Sequence, residues 1–343
     1  MPTRLSSATR HQRRLARLLA LARRAVGRSW SRMEAAAPSW GEQYEEQVAP
    51  TLVATVVAAQ TLAARESDSY VADILAEMDF GSRPPPIGRL VPESFARVSG
   101  DGLPVTTLLE QAVRHAGERY NHLRGESREV SLPLAQRALD DTQGFIDGLV
   151  ETILADTARA AEEAAMAQRE WLVGWIRQAE PGACSRCIIL SGRFYLFSEG
   201  FLRHPRCRCT HLPAPDSRTA DGRRARDALL AAESPESHFD ALTAEEQDRT
   251  FGAAGAQAIR DGADISRVVN ARRGMSKAQD TGRLRRVRVN GRDVYVTTEA
   301  TTRRGRTARQ TRGVRLMPET LLELAGDDAA ERIRLLRLHG YIV

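Results

Sequence analysis

Aromatic side chains make up only 5% of this 343-residue chain, which argues against a single-strand nucleic-acid binder built on stacking platforms. Lysine is almost absent. Of 50 basic residues only Lys277 is lysine, a bias that reflects a GC-rich genome and carries no functional message. Residues 1–33 contain no acid, only nine arginines. No cysteine lies outside the window Cys184 to Cys209. The longest uncharged stretch, Gln47 to Ala64, is interrupted by Pro50, Thr51, Thr55, Gln60 and Thr61, so it reads as a buried helix and not as a membrane span of about 20 apolar residues. The early apolar run Leu18 to Ala22 is closed by Arg23, shorter than the ~7 to 15 residues of a secretory h-region. The expected setting is a reducing cytoplasm, although an acid-free, arginine-rich start also fits the loose description of a mitochondrial transit peptide.

What is present is a soluble globular composition, with 42% hydrophobic and 27% charged residues, long enough for two or three domains. The net charge of +6 is segregated: residues 267–315 carry fifteen Lys or Arg against Asp280, Asp293 and Glu299, and with the nine arginines at the start this leaves −15 for the remainder. An acidic body with basic extensions suits a protein whose arms meet nucleic acid or an acidic surface, or simply solvated tails.

Leu15, Leu19, Ala22 and Val26 recur at helical spacing between Thr9 and Val26, which predicts an amphipathic helix with arginines opposite, ended by Pro38. A second helical region is expected from Gly41 to Met78, restarted near Pro50 and closed by Gly81-Ser82-Arg83-Pro84-Pro85-Pro86. Further helices are predicted over Pro104 to Leu123 and Leu132 to Gln178, followed by a β-leaning, cysteine-bearing segment through Pro215 and a helical block from Ser234 to about Asn270 with a capping box at Thr243 and Glu246. Val287, Val289, Asn290-Gly291, Val294 and Val296 spell a hairpin with a type I′ turn. Ala300 to Gly313 reads as disordered, and Met317 to Val343 as two short helices capped by Asp327 or Asp328. The fold class is mainly α within α+β: a helical N-terminal half, a small β-leaning module, and C-terminal helices with one hairpin.

The cysteines form Cys184-x-x-Cys187 and His204-Pro205-Arg206-Cys207-Arg208-Cys209. A C-x2-C turn offers one pair of sulfurs, and residues i and i+2 of a strand offer another to the same ion. One structural zinc per chain is expected, held by Cys184, Cys187, Cys207 and Cys209, with His204 as a rival ligand and His211 as a weaker one. Four cysteines and three cysteines plus a histidine are not separable on spacing. Disulfides and C-x2-C redox chemistry are the competing readings. Glu180, Glu199 and Asp216 lie in no catalytic zinc arrangement, so a closed site is expected, serving a segment with too few core side chains to fold unaided.

Cys184-Ser-Arg-Cys187-Ile-Ile-Leu190-Ser-Gly192-Arg-Phe-Tyr195, followed by His204-Pro205-x-Cys207-Arg208-Cys209 and Pro213, resembles the signature of the phage Mu F-like minor head proteins, the phage head morphogenesis family. Less sharply, Trp171-Leu-Val-Gly174-Trp175 before it resembles that family's lead-in. Glu245 to Arg249, Gly255 to Asp264 and Val268 to Met275 after it are similar to actinobacterial phage and prophage members. The resemblance implies a minor capsid protein at the portal vertex that aids prohead assembly and DNA packaging or delivery. Its implied partners are portal protein, major capsid or scaffolding protein and duplex DNA, without a membrane, in the capsid interior after assembly in the host cytoplasm. The resemblance covers about Ser67 to Val343; the division expected from the pattern along the chain is a basic amphipathic helix or arm (1–38), a helical domain (39–180), a zinc-binding Mu F-like core (181–275), a basic hairpin and linker (276–316) and a small helical piece (317–343). No enzymatic site is expected, since Ser191 and His204 have no recognisable third partner. Arg272, Arg273, Arg285, Arg286, Arg288 and Arg292 are the candidate phosphate contacts. The helical N-terminal half is the expected portal-docking element. The alternatives are a free zinc-stabilised, sequence-independent DNA-binding protein and a capsid maturation protease or nuclease.

Overall fold

The stripe of Leu19, Ala22 and Val26 is buried, and the helix it belongs to, α1 (Ser6–Trp30), extends beyond the predicted stretch at both ends. It ends before Pro38 because Trp30 and Met33 both turn into the core, with Trp30 Nε1 donating to the Leu139 carbonyl at 3.0 Å. Gln43 locks the exit, accepting from Glu34 N and donating to Arg32 O. This is a computed structural model, and it describes residues 5–79, 83–125, 130–200, 204–277, 288–289, 291–297 and 315–342. It is 65% helical and 8% strand, with small antiparallel sheets, as a mainly-α chain of the α+β class should be.

The chain divides into two compact units, one made of Met1–Pro181 and Gly192–Glu233, the other of Gly182–Ser191 and Ser234–Val343. In the first, α1 packs with α3 (Ala49–Glu77), α4 (Val105–Arg124) and α5 (Leu132–Ala167) around Val26, Trp30, Leu52, Val56, Leu109, Ile146 and Val150. α1 is therefore a wall of this bundle, where the sequence suggested an arm. α2 (Trp40–Gln43) and the π turn Tyr44–Val48 lead into α3, which restarts at Ala49 with Pro50 in its first turn, where a missing N–H costs nothing. Trp40–Glu77 is long and apolar enough to cross a membrane by length and composition. Its Leu52, Val56, Ala63 and Val71 are nevertheless buried against the neighbouring helices.

The predicted helix to Gln178 is corrected by the structure. α5 stops at Ala167 and Leu172–Gln178 is strand β1, the centre of an antiparallel sheet with β2 (Phe194–Leu196) and β3 (Thr210–Pro215) in the order β2-β1-β3. Because β1 is covered on both faces, it lacks the alternation that marks a half-buried strand, and a short apolar run of that kind reads equally as helix. Gly174 is required by close approach: a Cβ there would stand 2.0 Å from the Tyr195 carbonyl oxygen. Below the sheet, Tyr70, Ile74, Met166, Trp175, Leu212 and Leu229 form a second core. Leu229 comes from α7 (Ala220–Ala232), a helix the sequence reading did not anticipate although Thr219 caps it by accepting from Gly222 N.

The second unit is built from short pieces: α6 (Ser185–Ile188), α8 (Pro235–Asp240), α9 (Ala244–Phe251), α10 (Ala253–Arg260), α11 (Ile265–Ala271), α12 (Pro318–Ala325) and α13 (Ala329–Leu338). The capping box of Thr243 and Glu246 is present, and Asp328 caps α13 by accepting from Ala330 N and Glu331 N. Strands β5 (Arg288–Val289) and β6 (Arg292–Asp293) pair around Gly291, whose φ of 77° is the positive value that the Asn-Gly turn predicted. The three-stranded sheet β4 (Met275–Lys277), β7 (Tyr295–Thr297) and β8 (Arg315–Leu316), in the order β4-β7-β8, was not foreseen. The expectation for Ala300 to Gly313 lies outside the described residues.

Candidate metal centre

The cysteines are presented by tight local structure. Cys184 precedes α6 and Cys187 lies within it, and the Ile188 N–H returns to the Cys184 carbonyl at 3.1 Å, folding the C-x-x-C segment into one turn. Cys207 closes a second turn by donating its N–H to His204 O at 3.1 Å. Arg206 inside that turn has φ 65°, a left-handed conformation uncommon without glycine. Its backbone and side chain together hold it there: the Arg206 N–H donates to Thr152 Oγ1 at 3.1 Å, Nη2 donates to the Gly144 carbonyl, and Nε lies 3.8 Å from Glu151. Cys209 immediately precedes β3.

The ligand atoms of Cys187, Cys207 and Cys209 lie within 4.8 Å of one another, and those of Cys184, Cys187 and His204 do so as well. Tetrahedral coordination with Zn–S near 2.3 Å would set sulfurs about 3.8 Å apart, so the clusters have the scale of a single metal ion. None of the four cysteines is joined in a disulfide. His204 Nδ1 donates to the Pro205 carbonyl at 2.7 Å, which leaves Nε2 as the ring nitrogen that could be offered to a metal. His211 belongs to neither cluster. Its ring stacks on Trp175 at 3.7 Å, and burial pushes its pKa well below the usual histidine range, with Arg159 and Arg177 adding to the effect.

Two buried arginines define the electrostatics. Arg177 on β1 is 1% exposed and its Nη2 donates to Cys207 Sγ at 3.6 Å and to Cys209 Sγ at 3.5 Å. Arg159 on α5 donates to the carbonyls of Cys207 and Cys209 at 2.9 and 3.1 Å and pairs with Asp156. Thiolate sulfurs at Cys207 and Cys209 would place negative charge beside these desolvated guanidiniums, as neutral thiols would not. The donor set thus fits a divalent metal held by thiolates. Glu180 flanks the same turn, paired with Arg208 at 3.0 Å; burial raises its carboxyl pKa against the opposing pull of Arg208. A narrow cavity of about 20 Å³, lined mainly by Leu15, Leu18, Leu19, Leu154 and Ala158, reaches Glu180, Arg208 and Cys209 at one end. Cys184, by contrast, is exposed beside an open cleft of about 370 Å³ with Leu242, Glu246 and Arg249.

The candidate phosphate contacts are dispersed. Arg273 is exposed, and Arg272 is exposed but engaged, donating to the Phe251 carbonyl at 3.2 Å and to Glu319 at 3.1 Å. Arg288 and Arg292 sit on the paired strands β5 and β6, and Arg285 and Arg286 lie outside the described residues. Ser191, expected to be without a partner of note, shares a hydrogen bond with His238 at 3.0 Å. Both are buried, at 2% and 5% exposure, so the pair satisfies a core histidine and presents no reachable nucleophile.

No protein-family model, curated protein or solved structure matches this chain. The residues around the cysteines that composition and spacing did not single out are Arg159, Arg177, His11 and Glu162. Their signal was present: Asp156, Arg159 and Glu162 put charge every third residue on an otherwise alanine-rich helix, and Arg177 is the single charge in the apolar run that becomes β1. Glu162 bonds His11 Nε2 at 2.7 Å and accepts from His211 N at 3.0 Å, while Tyr70 OH donates to His211 O at 2.7 Å. These bonds pin the start of β3, and with it Cys209, to α1, α3 and α5.

Proposed function

We infer that the protein is a non-enzymatic minor capsid protein of a tailed phage or prophage, associated with the portal vertex, in which one zinc ion staples the cysteine-bearing segment and basic surfaces engage packaged DNA. The observation that carries this reading is the pairing of Cys184/Cys187 with His204/Cys207/Cys209, in the same motif that resembles the Mu F-like head morphogenesis signature, now with ligand atoms gathered to the scale of one ion. The buried guanidinium of Arg177 against the sulfurs of Cys207 and Cys209 supports a structural metal over a catalytic one.

A docking element for a portal helix is available on α3. Pro50, Ala54, Ala58 and Leu62 are exposed and uncharged along one side, beside a groove of about 540 Å³ that Val53, Val57 and Arg97 also line. Dividing the chain at residue 180 would not test this, because it separates β1 from β2 and β3. The test is full-length protein co-expressed with portal and capsid proteins and fractionated on a gradient. The wild type should sediment with proheads, and Ala54→Glu with Ala58→Glu should release it. Protein that stays in the soluble fraction with portal-containing proheads present would refute the virion assignment and leave a free DNA-binding protein.

A further inference from the structure

Six arginines of α1, Arg10, Arg13, Arg14, Arg17, Arg24 and Arg28, are exposed, while Ala8, Leu19, Ala22, Val26 and Trp30 are buried on the other side of the same helix. At ~100° per residue the six fall within a face about 120° wide, and at ~1.5 Å per residue they span about 27 Å. Arg14 pairs with Glu66 at 3.0 Å and Arg10 donates to Ser6 Oγ at 3.0 Å. Among the described residues, no hydrogen bond or ion pair engages the side chains of Arg13, Arg17, Arg24 or Arg28. Arg23, off the ridge, is the one drawn down to Asp147 and Glu151 on α5.

An isolated helix of this composition repels itself, since Arg10/Arg14, Arg13/Arg17 and Arg24/Arg28 are like charges at i, i+4. The bundle holds the helix by its apolar face, so the ridge is a fixed row of cations, not a tail that wraps. A fixed, straight, single-sign row is complementary to a straight polyanion. No aromatic side chain lies on the ridge, so base stacking is unavailable and only the backbone of a duplex is addressed. Over 27 Å one strand of B-form DNA presents about eight phosphates.

We propose that the exposed arginine face of α1 is a second, sequence-independent binding surface for the phosphate backbone of duplex DNA. It shares the nucleic-acid partner of the reading above but uses a different surface from the C-terminal basic region, and it requires neither capsid nor zinc.

The test uses full-length protein and a mixed-sequence 30-base-pair duplex, titrated between about 50 and 200 mM salt, with two variant sets. Arg13, Arg17, Arg24 and Arg28 changed together to Gln should reduce the slope of log affinity against log salt by about 3 to 4, with about a hundredfold or greater loss of affinity near 100 mM. The same four changed to Lys should keep the wild-type slope, and the thermal melt of both should match the wild type. An unchanged slope in the folded Gln variant overturns the proposal. If that happens while Arg285, Arg286, Arg288 and Arg292 changed to Gln do lower the slope, the C-terminal assignment survives alone; the converse result leaves α1 standing without it. Poly-glutamate of equal total charge should bind at least about tenfold more weakly than the duplex, and equal binding would give the face to an acidic protein and overturn the assignment to DNA.

Discussion

The two units are held together by different means. In the first, the four long helices, of 25, 29, 20 and 36 residues, begin at Leu5, Val48, Pro104 and Ser131 without a side-chain cap of their own. In the second, helices of 6, 8, 7 and 10 residues begin at Ser234, Thr243, Asp264 and Asp328, and each of these side chains accepts from the first turn, whereas α10 and α12 start at Gly252 and Met317 without a side-chain cap. In the first unit the shorter α2 and α7 are capped by Ser39 and Thr219. A long helix spreads the cost of four orphan N–H groups over many buried side chains. A one- or two-turn helix has few such side chains, so its cap is a large share of what stabilises it. The cysteine-bearing stretch is the extreme case, in which a single turn has neither length nor a side-chain cap, and a metal held by the cysteine cluster would supply the missing stabilisation.

The largest break should therefore come at the metal. Elemental analysis is expected to give about one zinc per chain, and chelation or Cys187→Ser should abolish it and expose the amides of residues 181–213 to exchange, since apparent zinc binding in structural sites is about 10 to 16 kcal/mol. Metal-free protein with unchanged protection would remove the staple from the comparison. Next comes the core of the first unit: Trp30→Ala should cost about 3 to 5 kcal/mol in denaturant unfolding, because it empties a buried site and removes the indole hydrogen bond to the Leu139 carbonyl. In the second unit, Thr243→Ala and Asp328→Ala should each cost about 1 kcal/mol. Matching losses from alanine at Ser131 would erase the distinction between capped and uncapped helices.

The smallest effect sharpens the comparison at α1, which borrows a cap from another helix. Glu77, at the end of α3, accepts from Ser6 N at 2.7 Å, from Ser7 N at 2.9 Å and from Ser7 Oγ. Partial burial raises its pKa, but the bonds from Ser7 and Ser6 outweigh this and bring it down from 4.5 to about 2. The folded state thus binds fewer protons: the stabilisation is present above about pH 4.5 and is lost as pH falls toward 2. The carboxylate is exposed, so about 1 kcal/mol is expected, and Glu77→Gln should remove that part of the acid dependence.

Much of this was legible from residue spacing. The α1 stripe, the restart at Pro50, the Thr243 capping box, the Asn290-Gly291 hairpin and the Asp328 cap all rest on local rules, and each is where those rules put it. What escaped was decided by tertiary partners: β1 is a strand because β2 and β3 flank it, Arg177 is buried with its guanidinium against the sulfurs of Cys207 and Cys209, and Glu77 caps a helix seventy residues away. The cysteine spacing gave the ligand candidates, while the choice between His204 and a fourth thiolate depends on geometry that spacing does not encode.

The borrowed cap has a consequence for biosynthesis. While the chain emerges from the ribosome, α1 has neither Glu77 at its start nor α5 against its apolar face until residues well past 160 have been made. At roughly 5 to 20 residues per second, that interval is on the order of ten seconds. Throughout it, a nascent segment with nine arginines and a bare apolar stripe is held close to ribosomal RNA without its packing partners. A holding chaperone acting on the first 33 residues would be the natural guard of this protein's early life, and the need for it would end when α5 docks.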